Sequence, residues 1–142
     1  ARAELEHALP RVDDLPEANY FLGLCLMNDG EGERGRALVE RALAINPKFG
    51  YGEPHLRLGD FHVGKKELEP AADRYRQATE IYGSSVEAWC KLGQTLHELG
   101  SRDEAKAALQ EAVASYRTAP WYRRADDRPW KRRAARLLRS LS

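Results

Sequence analysis

The sequence predicts an all-α fold, a solenoid of antiparallel helix pairs, and three observations predict it. Small residues recur in columns: Gly23, Gly59 and Gly93 stand 36 and 34 residues apart, each preceded by a leucine (Leu22, Leu58, Leu92). Twelve residues after each glycine comes another small residue (Gly35, Ala71, Ala105), sixteen after a large one (Val39, Tyr75, Leu109), and nineteen after an alanine (Ala42, Ala78, Ala112). A period of this size marks stacked copies of one supersecondary unit. Apolar residues also keep helical spacing, as in Leu92, Leu96 and Leu99, then Ala105, Ala108, Leu109, Ala112 and Val113. Boundary residues complete the case. Pro16, Pro54 and Pro70 suit a first helical turn, where a missing N–H is harmless. Gly100 closes one helix and Ser101-Arg102-Asp103-Glu104 opens the next as a capping box, a signal that Ser84-Ser85-Val86-Glu87 offers one helix earlier.

Taken in order, residues 1–15 read as the second helix of a partial preceding repeat, with Ala1, Leu5, Ala8 and Leu9 in its columns and Pro10 shortening it. Three helix pairs follow at 16–49, 52–85 and 86–119. Residues 120–142 read as a basic capping helix beginning near Pro129. Trp130, Ala134, Leu137, Leu138 and Leu141 form its apolar stripe, opposite Lys131, Arg132, Arg133, Arg136 and Arg139. A terminal helix covering the last repeat is the usual solubilising cap of such arrays. The half-unit at the start implies a fragment of a longer chain, whose exposed edge offers a route to self-association.

The columns resemble the tetratricopeptide repeat, whose pattern runs W-x2-L-G-x2-Y, then A-x3-F, then A and P. The third unit reads Trp89-x2-Leu92-Gly93-x2-Leu96, then Ala105, Leu109 and Ala112; the first reads Leu22-Gly23-x2-Leu26, then Gly35, Val39, Ala42 and Pro47. The second, His55-x2-Leu58-Gly59-x2-His62, then Ala71, Tyr75 and Ala78, departs most, with histidines at the Trp and Tyr columns. The resemblance implies a right-handed superhelix and a protein-binding scaffold.

Composition agrees with a helical globular chain: 42% of the 142 residues are apolar and 32% charged, and no run approaches 18 consecutive apolar residues. Ala1 is followed by no signal-peptide series. Cys25 and Cys90 lack metal-finger spacing, which fits a reducing, cytoplasmic setting. The net charge of +1 is unevenly spread. Residues 117–142 hold nine Arg or Lys against Asp126 and Asp127, while the other 116 residues hold 14 basic and 20 acidic side chains.

Catalysis finds little footing, and neither cofactor nor metal is implied. There is no nucleophile elbow, P-loop, HExxH or paired CxxC. Cys90 and His97 share a helix face, but seven residues of helix rise about 10 Å, too far for direct contact. His55 and His62 read as polar substitutes in core columns, and Cys25 as a small buried filler.

Binding is better supported. The resemblance implies that the first helix of each repeat lines a concave groove: Glu17, Tyr20, Phe21, Leu24, Met27 and Asn28; then Glu53, Leu56, Arg57, Asp60, Val63 and Gly64; then Glu87, Cys90, Lys91, Gln94, His97 and Glu98. This groove runs from apolar to mixed charge and suits a partner's peptide or helix. Tyr20, Phe21 and Leu24 are the expected anchors, with Arg57, Asp60 and Lys91 selecting partner charge; the alternative is that the three apolar residues pack on a missing N-terminal helix or on the cap. The family's carboxylate clamp is not reproduced. Its positions hold Tyr20, Leu24, Arg57, Glu87 and Lys91, and of the three that carry Lys or Arg in the clamp (Tyr20, Glu87, Lys91) only the last keeps a positive charge. A competing reading gives the function to the basic surface (Arg123, Arg124, Lys131, Arg132, Arg133, Arg136), with Trp121, Tyr122 and Trp130 beside it. There it would contact membrane lipid or nucleic acid, and the repeats would serve as a spacer.

Overall fold

The computed structural model describes residues 15–142; the expected half-repeat over 1–15 lies outside the described residues, apart from Leu15. Helices α1 (Pro16–Asn28) and α2 (Gly32–Ile45), α3 (Glu53–Gly64) and α4 (Leu68–Ile81), and α5 (Val86–Glu98) and α6 (Arg102–Arg117) form three pairs, followed by α7 (Arg124–Leu141). Short 3-10 turns at Phe49–Gly52 and Trp121–Arg123 lead into α3 and α7. Each of the paired helices packs on its pair-mate, the second helix of a pair packs on the first helix of the next, and α7 packs on both α5 and α6.

The small columns set how near the paired helices come. A Cβ on Gly35 would stand 2.4 Å from the Gly23 carbonyl oxygen, so α1 and α2 touch backbone to backbone. In the third pair the equivalent space beside Gly93 is filled by the Leu109 side chain, which a Cβ would meet at 2.5 Å. The large columns then fill the gaps between units. Leu22, Val39, Leu58, Tyr75 and Leu109 are all buried. Between the second and third pairs Leu56, Ala72, Tyr75, Ala88, Leu92 and Leu96 form one continuous apolar cluster.

The helix boundaries depart from expectation in three places. The Ser101 side chain makes no capping bond, so the capping box at α6 is not formed. At α5 the cap is Ser85 rather than Ser84, its hydroxyl accepting from the Ala88 N–H at 3.2 Å. That shift makes Glu87 the second residue of the helix, still in its first turn, where its carboxylate meets Arg57 and Lys91. Helix α7 begins five residues before Pro129, which lies inside it. The ring removes one hydrogen bond near the helix start, where Asp126 and Asp127 favour the positive end of the helix dipole. The far end is tied down as well: the Arg102 guanidinium donates to the Leu141 carbonyl. Against α5 and α6, α7 buries Ala134 and Leu141 and packs Trp130, Leu137 and Leu138. Among the described residues, no helix is long and apolar enough to cross a membrane.

Candidate partner-binding groove

The first helices of successive pairs share one face of the stack, and there α3, α5 and α7 enclose an open cavity of about 420 Å³. Its walls include Asp60 and Val63 of α3, Lys91, Gln94, His97 and Glu98 of α5, and Arg133 and Leu137 of α7. Six of the sequence-predicted groove residues (Asp60, Val63, Lys91, Gln94, His97, Glu98) are brought together here. Arg133, expected on the outer basic surface, faces this cavity instead. Leu137 was assigned to the cap alone; its i+4 spacing from Arg133 places both on the same flank of α7.

Beneath the cavity lies a closed set of ion pairs. Asp60 accepts from Lys91 Nζ at 2.9 and 3.0 Å and from the Tyr75 hydroxyl at 2.7 Å, and it pairs with Arg57 at 3.2 Å. Glu87, from α5, accepts from Arg57 at 3.0 Å and from Lys91 at 2.7 Å. Burial, then the hydrogen bond to Asp60, pushes the Tyr75 phenol well above its ordinary pKa. The Lys91 side chain is only 14% exposed, with its ammonium 4.9 Å from the Trp130 ring centroid. Two cations and two anions therefore neutralise one another. Arg57, Asp60 and Lys91, expected to select a partner's charge, are engaged with one another and with Glu87, and these pairs tie α3 to α5. Gln94, His97, Glu98 and Arg133 are further polar side chains of the cavity wall. The Arg133 guanidinium lies 4.7 Å from the Trp130 centroid, held in place by the ring.

The expected apolar anchors separate. Tyr20 is 8% exposed; its hydroxyl donates to Glu53 at 3.3 Å and its ring meets Phe49 edge-on at 5.6 Å. Leu24 and Met27 are half-buried against the cluster of Tyr20, Val39, Ala42, Leu43 and Leu58. Packing on the protein's own helices accounts for these three. Phe21, 61% exposed, is the anchor that still presents its side chain to solvent.

Cys90, expected to line the groove, is buried where α7 covers α5, and burial pushes its thiol up to about 11. His97, seven residues on, is exposed, so the two do not form a site. His55 is buried beside Arg74 (3.3 Å), and burial, then that cation, lowers its pKa to about 4. His62 lies 3.0 Å from Glu67. Cys25 is half-buried rather than fully buried.

The basic residues also divide by direction. Arg123 pairs with the buried Asp127 at 3.5 Å, whose pKa burial raises. Arg124 and Lys131 flank the α6–α7 seam, Lys131 lying 5.7 Å over Tyr116. Arg132 and Arg136 are exposed on the outer face of α7.

Residues 86–118, the α5–α6 pair, match the family model of the tetratricopeptide repeat. The chain thus contains a tetratricopeptide repeat at that pair and has the fold of a tetratricopeptide-repeat solenoid. Its repeats superpose on solved solenoids at low sequence identity. The crystal structure of MamA aligns with a TM-score of 0.70 and 16% identity, over 95% of this chain and 85% of that one. PcrH in complex with the chaperone binding region of PopD aligns at 0.74 and 17%, over 88% and 89%. The second repeat domain of Spaghetti (RPAP3), bound to an HSP90 peptide, aligns at 0.62 and 19%, over 70% and 90%. At these identities the likeness is one of fold. A search of curated proteins finds no match.

Proposed function

We propose that this tetratricopeptide-repeat solenoid is a non-catalytic interaction scaffold that takes a partner's peptide or helix on the face formed by α1, α3, α5 and α7. One observation carries the reading: the cavity between α3, α5 and α7 offers polar heads (Gln94, His97, Glu98, Arg133) and apolar walls (Val63, Leu137) above a floor whose charges are already neutralised. A floor of that kind is preorganised, so a partner orders little of the protein on binding and gains affinity from a few anchors. Val63 is 40% exposed and Phe21 61%, which leaves apolar contacts open along the α1 and α3 part of the face. The PcrH and RPAP3 structures, each holding a segment of another protein, support the same use of the fold.

Site-specific photo-crosslinking tests the reading. A crosslinker placed at Gln94 or Leu137 should capture the partner that the intact protein retains. One placed at Lys106, on α6 away from the cavity, should not. Capture from Lys106 alone would move the binding surface to the other side of the stack and remove the proposal.

A further inference from the structure

The outer face of α7 carries charge that nothing in the fold answers. At 3.6 residues per turn Arg128, Arg132, Arg136 and Arg139 fall within roughly 80° of arc, along roughly 16 Å of helix. All four are exposed. No carboxylate shares that arc: Asp127 is buried beside Arg123, and Asp126 falls on another side of the helix. Among the described residues none of the four forms a salt bridge; Arg128 lies near enough to the Tyr116 phenol to hold its pKa below the ordinary value. At the head of this stripe the 3-10 turn presents Trp121 at 84% exposure and Tyr122 at 64%. These are two of the largest apolar exposures in the described chain, and they adjoin its densest positive charge.

From this juxtaposition we infer that α7 and its leading turn form a docking surface for an anionic lipid bilayer, with the arginines on headgroup phosphates and carboxylates and the two aromatic rings at the interface. Trp and Tyr suit that level because each has an apolar body and a polar tip. The mode is peripheral. The apolar stripe of α7 is occupied by α5 and α6, so the helix lies on the surface without burying that stripe in lipid. Stable attachment needs two weak signals, and a basic stripe with an aromatic pair supplies both. The rings also argue for lipid over single-stranded nucleic acid. Their planes stand at 85° with centroids 5.9 Å apart, so they offer no parallel faces for successive bases. Bilayer insertion asks for no such alignment.

The test is co-sedimentation of the 142-residue chain with phosphatidylcholine vesicles, with and without phosphatidylserine. Binding should require phosphatidylserine and weaken as salt rises. The triple change Arg132→Gln, Arg136→Gln, Arg139→Gln should reduce the partition coefficient roughly 100-fold, from the usual contribution of each basic side chain at an anionic surface. Trp121→Phe should remove most of the fluorescence blue shift on binding, since Trp89 and Trp130 are already packed. Circular dichroism should show all variants as helical as the wild type, because the altered side chains are exposed. A Gln94→Arg change in the groove should leave vesicle binding intact, which separates this surface from the proposed peptide site. Failure to bind phosphatidylserine vesicles would overturn the inference, as would binding that the arginine changes leave untouched. Binding to a single-stranded oligonucleotide in place of vesicles would equally overturn it.

Discussion

Two charged regions of this protein look alike in composition and differ in what surrounds them. On the facing sides of α3 and α5, Arg57, Asp60, Glu87 and Lys91 answer one another within 3.2 Å. On the outer side of α7, Arg128, Arg132, Arg136 and Arg139 face no acid. Partly buried charge must be paired or it costs several kcal/mol, so the first set is committed to structure. Exposed charge is hydrated and cheap, so the second set is left available to an external anion. Charge count alone therefore says little about function; what each charge already touches says more.

The comparison can be broken by showing that the inner polar groups are not structural, and the largest expected effect comes from acid. His55 is buried with its pKa lowered to about 4, while the unfolded chain protonates near 6.5. The unfolded state thus binds more protons between those values. Stability from this group is complete above pH 6.5 and is lost as pH falls toward 4, by up to about 3 kcal/mol. Denaturant midpoints for wild type and His55→Gln, measured at neutral and acid pH, should diverge by that dependence; parallel curves would show His55 to be solvated. Next in size, Asp60→Ala should cost about 2 kcal/mol, because it strips Lys91 and Arg57 of one partner and leaves the Tyr75 hydroxyl unbonded. A loss within the range of a surface change would dissolve the distinction.

The same contrast between partnered and unpartnered groups can be sharpened at two serines. Ser85→Ala should cost about 1 kcal/mol, since its hydroxyl caps α5, whereas Ser101→Ala should cost much less, since its side chain makes no capping bond. Equal losses in chemical denaturation would mean that Ser101 caps after all. The smallest effect belongs to the outer stripe. Changing Arg132, Arg136 and Arg139 to Gln should move stability by no more than about 0.5 kcal/mol for each site. A large loss would place those arginines in the fold rather than on its surface.

Much of the fold was legible because small and large columns have direct steric meaning. Gly23 and Gly35 permit two backbones to touch; Gly59 and Gly93 admit the Tyr75 and Leu109 side chains. The site was less legible. Position within a helix indicated that Tyr20, Leu24 and Cys90 point toward the inner face, but not that Glu53 and Phe49 would cover Tyr20 or that α7 would bury Cys90. Nor did it indicate that Arg133 would turn from the basic surface into the cavity. The start of α7 was misjudged because a proline was read as a boundary. Two acidic residues ahead of it begin the helix earlier, and the ring costs a single hydrogen bond there.

The sequence by itself determined the helix pairs, their register and the uneven charge, because these depend on residue size and sign at positions close along the chain. Only the tertiary structure decided which charges are spent and which are free. That outcome depends on side chains some 30 residues apart meeting within 3.2 Å, as Lys91 meets Asp60 and Arg57 meets Glu87. Pairing at such separations is a property of how the repeats stack, and no periodicity along the chain encodes it.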